Sequence, residues 1–93
     1  MLRLQISCVE IDDHDDLHGR IRLIGGRYSG AKWRLCSADA IKLIEKGKYS
    51  FFVFSEGREV DVVVATKNGT KYLKTETDGD YPYSLLALSE CNY

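Results

Sequence analysis

The chain has 93 residues, of which 44% are apolar and 29% charged, with eight glycines and one proline. That mixture excludes collagen-like, proline-rich and disordered chains, and the length allows a single domain over residues 1–93 with one modest core. Thirteen Lys and Arg against 14 Asp and Glu give a net charge of −1, so binding to a polyanion requires local segregation of charge.

The opening residues reach a charge at Arg3, and no apolar run has signal-peptide or membrane-spanning length. The expected compartment is the cytosol, with no membrane partner. Leu2, Leu4, Ile6 and Cys8 alternate with Arg3, Gln5 and Ser7, which predicts a half-buried strand. Val9 and Ile11 are out of phase with it, and a bulge near Cys8 or Val9 would reconcile the two. The acidic run from Asp12 to Asp16 is a loop. Arg20 to Ile24 alternates again as a second strand, Gly25-Gly26 ends it, and Gly26 to Ala31 reads as a further loop. Ser37 is the expected N-cap of a short helix with Ala40, Ile41 and Ile44 on its apolar stripe, Lys46 in its last turn and Gly47 after its end.

The second half reads as a meander. Asn68-Gly69 is a strong hairpin signal and pairs Val64 with Leu73 and Val62 with Thr75. Glu56-Gly57, a weaker turn of the same kind, pairs Val53 with Val60 and Phe51 with Val62. Both registers give one apolar face: Tyr49, Phe51, Val53, Val60, Val62, Val64 and Leu73. Phe52, Phe54, Glu59, Asp61, Val63, Tyr72 and Lys74 form the other. The expected fold is α+β, a mostly antiparallel sheet of about five strands with one short helix packed on one face. A polar turn at Asp78-Gly79-Asp80 and an apolar tail, Leu85-Leu86-Ala87-Leu88, close the chain.

Several of these pieces occur together in a known family. They are Trp33-Arg34-Leu35-Cys36-Ser37 ahead of the helix Ala40 to Gly47, the Phe51-Phe52-Val53 strand and Lys71-Tyr72-Leu73-Lys74-Thr75. Asp78-Gly79, Leu85-Leu86-x-Leu88 and Cys91 complete the set. In this set and order the chain resembles a widespread family of small bacterial and phage proteins catalogued as a domain of unknown function. The family usually has Asn where this chain has Ser84, and Pro where it has Ser89. The resemblance implies a compact α+β domain and no settled activity, cofactor or catalytic residue.

Charge distribution is the most informative functional feature. Glu10 to Asp16 holds five acids, whereas Leu17 to Ala38 holds none and carries Arg20, Arg22, Arg27, Lys32 and Arg34. Tyr28 and Trp33 are interleaved with these cations, beside Gly25, Gly26 and Gly30. Guanidinium forks, loop N–H groups and an aromatic plane can together hold a phosphate and stack a base. The expected site is therefore Arg20, Arg22, Arg27, Tyr28, Lys32, Trp33 and Arg34. Its ligand would be an anionic small molecule such as a nucleotide, or nucleic acid. The plainer alternative is that the acidic loop neutralises the basic strand and Trp33 anchors the core.

Gly25 to Lys32 departs from a phosphate-binding P-loop, because Ala31 stands where Lys is required and Trp33 where Ser or Thr is required. Asp12, His14 and Asp16 have alternate spacing, but Leu17 replaces the turn glycine of a calcium loop, so no metal site is expected there. His14 and His18 would suit zinc only on a helix. Three cysteines, Cys8, Cys36 and Cys91, with no Cys-x-x-Cys, suggest neither a disulfide framework nor a zinc ribbon. Cys8 is expected to be an inert core residue, and Cys36, before the helix, is the one reactive candidate. A binding module without cofactor is the leading expectation. A protein-interaction module or phage-type inhibitor using a Phe52/Phe54/Tyr72 face is the alternative, and a small Cys- or metal-dependent enzyme the minor one. Association into a homo-oligomer is a further expectation.

Overall fold

A computed structural model describes residues 2–11, 21–79 and 83–91. Among these residues the strands form two four-stranded sheets, in the orders β1-β5-β6-β7 and β4-β3-β2-β8. Their spans are β1 Leu2–Gln5, β2 Cys8–Ile11, β3 Ile21–Tyr28, β4 Ala31–Cys36, β5 Tyr49–Ser55, β6 Arg58–Lys67, β7 Thr70–Thr75 and β8 Ser89–Glu90. Helix α1, Ser37–Glu45, joins β4 to β5, and a single turn, α2, covers Tyr83–Leu86. The α+β class holds, but two sheets replace the one sheet of about five strands.

The first cause of the difference lies in the N-terminal strand. β1 runs parallel to β5, with Leu4 beside Phe51. At Ile6 and Ser7 the chain leaves one sheet for the other: Ile6 N–H donates to Phe52 O at 2.8 Å and Ser7 N–H to Gly25 O at 2.9 Å. β2 then pairs antiparallel with β3. The phase slip in the sequence is this crossing, and it falls before Cys8. Val9 and Ile24 are therefore the core pair, both 0% exposed, and Cys8 points to the opposite side. A separate irregularity lies between Glu10 and Ile11.

The second cause is a hairpin where a loop is expected. Tyr28 pairs with Ala31 across a two-residue turn in which Ser29 and Gly30 have φ of 51° and 83°. Positive φ at both turn positions matches the twist of the flanking strands. Ser in the first position is a weak signal, which hides the turn in the sequence. Gly25 and Gly26 do not end β3; they are buried within it. A Cβ at Gly26 would collide with the carbonyl oxygen of Gln5 and lie 3.2 Å from Trp33 Nε1. Gly26 thus lets the crossing strand pass over β3. Gly26→Ala is expected to cost about 1–3 kcal/mol in a urea unfolding measurement, because the collision is with backbone and one sheet must move. An unchanged midpoint would refute this close approach.

The meander follows the sequence register. Val53 pairs with Val60, and Val64 with Leu73. Phe51, Val53, Val60, Val62 and Leu73 are buried in one core with Leu4, Ile6, Val9, Ile24 and Leu85. α1 contributes Ala40 and Ile41 to that core. Its N-cap is Cys36, not Ser37, whose hydroxyl instead donates to Ile21 O. Its end is a Schellman motif: Lys48 N–H reaches Leu43 O at 3.1 Å, Gly47 N–H reaches Ile44 O at 3.0 Å, and Gly47 has φ +70°.

The C-terminal motif is a hydrogen-bonded cluster around Asp78. Its carboxylate accepts from Thr75 N–H at 3.2 Å and from Ser84 Oγ at 2.9 Å. Lys74 Nζ donates to the carbonyls of Asp78 and Gly79, both at 3.1 Å. Ser84, where the resembling family usually has Asn, thus supplies a side-chain donor to Asp78. Beyond it, β8 lies parallel to β2, Cys91 N–H donates to Val9 O at 3.2 Å, and Cys91 forms a disulfide with Cys8. The expectation of no disulfide is corrected. The misplaced phase of the N-terminal strand put Cys8 on the core side, whereas its true side is the one the C-terminus reaches.

Candidate functional site

Every described residue of the expected site belongs to the β3–β4 hairpin; Arg20 lies outside the described residues, as do Asp12 to Asp16 and His18. The register pairs Arg27 with Lys32, and Gly25 with Arg34. Side chains alternate across a strand, so Arg27, Lys32 and Arg34 share one face of the hairpin. Residues 27–32 are all exposed, and Arg34 is exposed beside them. Arg27 and Lys32 stand directly opposite each other on the ribbon.

Tyr28 and Trp33 occupy the other face. Trp33 packs on Phe51 with ring centroids 5.7 Å apart. A cleft of about 230 Å³ lies between the edges of the two sheets, lined by Leu2, Leu4, Tyr28, Trp33, Leu35 and Tyr49, with Arg34 at its border. The expected combination of cations with an aromatic plane is therefore split. The cations face outward, Trp33 faces the core, and Tyr28, 49% exposed, is the accessible ring near the tip. The guanidinium of Arg22, on β3, pairs with the carboxylate of Glu10 on β2.

The alternative aromatic face is also incomplete. Phe52 and Phe54 meet edge-on at 5.8 Å, and Phe54 is 53% exposed. Tyr72, by contrast, is 5% exposed. It sits on the edge strand β7, where it lines the cleft beside α1 instead of joining Phe54. Arg3 covers Phe52, its Cζ 4.5 Å from the ring centroid, and pairs with Asp61 at 2.7 Å and Glu59 at 3.4 Å. The hydrogen bond to Asp61 raises the Arg3 pKa above its ordinary value, so this cation stays charged and engaged.

Among the described residues no group of three or more His, Cys, Asp or Glu is placed to hold a metal ion. Cys36 is a free, half-buried thiol at the N-cap of α1. Two further clefts were not foreseen. One, about 390 Å³, lies between α1 and β7; the other, about 340 Å³, is bordered by Glu56, Glu59, Glu76 and Asp78. Neither left a trace in linear periodicity, since each joins elements remote in sequence.

A family model described as a protein of unknown function (DUF3892) matches residues 5–89. The chain belongs to the DUF3892 family. No curated protein and no solved structure matches the chain. The residues on which the family resemblance rests serve the fold: Ala40, Ile41, Phe51, Val53, Leu73, Thr75 and Leu85 are buried, and Asp78 and Cys91 tie the C-terminal segment down. Arg27 and Lys32 lie outside that set. In this DUF3892 domain these motif residues hold the scaffold, whereas Arg34, itself within the motif, stands on the hairpin beside Arg27 and Lys32.

Proposed function

We propose that this domain is a non-enzymatic binding module that captures a polyanion, in the first place a nucleic-acid backbone, through Arg27, Lys32 and Arg34. The observation that carries the reading is the register of β3 and β4, which puts these three cations on one exposed face. An outward row of cations suits phosphates in series. Capture of a lone nucleotide is less favoured, because Trp33 is committed to Phe51 and only Tyr28 is left to stack on a base.

The test is the double reversal Arg27→Glu with Lys32→Glu, which takes the local charge from +2 to −2 at positions outside the core. Affinity for a short DNA duplex should fall on the order of 100-fold or more, since each charge-assisted contact contributes about 1.5–3 kcal/mol. The wild-type affinity should fall with salt, with a log–log slope of about −0.9 per phosphate engaged. Salt-independent binding that survives the reversal would defeat the proposal.

The exposure of Phe54 supports a second reading, a protein partner on the Phe52/Phe54 face. In that case Phe54→Ala would abolish partner binding and the charge reversal would not.

A further inference from the structure

We infer that the cleft between α1 and β7 is a binding site for a small amphipathic monocarboxylate, separate from the cationic hairpin. Its volume of about 390 Å³ falls within the range of small-molecule sites, roughly 300–1,000 Å³. Its floor is apolar and fixed. Ile21, Ile41 and Leu73 line it, and all three are buried members of the central core. Ala38, exposed on the first turn of α1, is small enough to leave the space open.

Among the described lining residues the charged groups are Lys42, Glu45 and Lys71, and Ser37 and Tyr72 add hydroxyls. Lys71 Nζ of β7 lies 2.7 Å from Glu45 Oε2 of α1, so this ion pair spans the cleft and neutralises itself. Lys42, one turn before Glu45 on the helix, also lines the cleft and has no carboxylate partner among the described residues. The described lining residues therefore carry one net positive charge over an apolar floor. The matching ligand has one negative head group and an apolar body. A carboxylate at Lys42 leaves the Lys71–Glu45 pair intact, and the body packs over Ala38, the exposed apolar residue of the lining, against the edges of Ile21 and Leu73. A dianion or a polyphosphate does not fit, because Glu45 borders the same space.

The probe is octanoate, with octylamine of the same chain length as the control. Titration into the wild-type protein, followed by amide and methyl NMR shifts, should perturb Ile21, Ala38, Ile41 and Leu73. Octanoate should bind about tenfold more tightly than octylamine, because the rim charge attracts one and repels the other. Lys42→Glu should reverse that preference. Ala38→Trp, at an exposed position, should fill the cleft and remove octanoate binding while circular dichroism stays unchanged. Equal affinity for octanoate and octylamine in the wild type would overturn the inference, and so would octanoate binding that survives Ala38→Trp. The comparison on the wild type needs no variant to fold. Because Arg27 and Lys32 are untouched, a failure here is distinct from a failure of duplex binding at the hairpin.

Discussion

Replacing Cys91 by Ser should lower the unfolding free energy by about 4 kcal/mol, and reducing the wild-type disulfide should have the same effect. The bridge joins residues 83 apart in sequence, so it closes nearly the whole chain into one loop. In the chain-entropy account a loop of that length restrains the unfolded state by about 4–5 kcal/mol, and measured losses in small domains run from about 2 to 5. Among the described residues, the regular structure that holds the C-terminus is short. β8 has two residues and only two register pairs with β2, and α2 is four residues long. Urea unfolding with and without a dithiol reductant measures the loss. Cys36→Ser is the control and should leave the midpoint within about 0.5 kcal/mol. Thiol counting under denaturing conditions checks the pairing: one alkylated cysteine in the oxidised protein, three after reduction. A loss below about 1 kcal/mol would mean that packing of Leu85, 0% exposed, anchors the segment without the bridge.

The parts of this fold that were legible in the sequence are those with strong local chemistry. Asn68-Gly69 and Glu56-Gly57 have positive φ at all four positions, and each hairpin register follows from its turn. Gly47 ends α1 for the same reason. What stayed hidden was non-local or weakly marked. The passage of the first strand from one sheet to the other depends on Gly26 meeting Gln5, and a phase slip alone cannot distinguish that passage from a bulge. The Ser29-Gly30 turn lacks an Asn or Asp, so β4 went unseen. The disulfide depends on the first of these, because the crossing turns Cys8 toward the side that β8 and Cys91 reach.

The candidate site shows the same division. The cations were visible as a run of sequence without acids, and the hairpin gathers three of them on one face. Which side Tyr28 and Trp33 would take depended on recognising β4 as a strand. Once the turn is placed, alternation alone sends Trp33 to the core and Lys32 and Arg34 to the outside. The cleft beside α1 could not be read at all, since Ile21, Ala38 and Leu73 come from three elements and share no periodic pattern.

Phe51→Ala and Phe54→Ala, three positions apart on β5, should separate sharply. Phe51 is 1% exposed and packs against Trp33 at 5.7 Å and Tyr49 at 6.3 Å. Truncating it removes the largest fully buried side chain from the shared core of the two sheets and should cost about 3–5 kcal/mol. That is a large fraction of the stability of a domain this size, roughly 5–15 kcal/mol in total. Phe54 is 53% exposed on the alternate face, and its truncation should cost no more than about 0.5 kcal/mol. Trp33, the single tryptophan, reports on both variants. Its emission should shift in native Phe51→Ala protein, because the ring beside it is gone, and stay unchanged in Phe54→Ala. The charge reversal at Arg27 and Lys32 should behave like Phe54→Ala in this assay, since those side chains point away from the core. An equal loss of stability at Phe54 would show that the outer face is covered in solution by a second copy of the chain. The loss would then grow with protein concentration, which a monomer's would not.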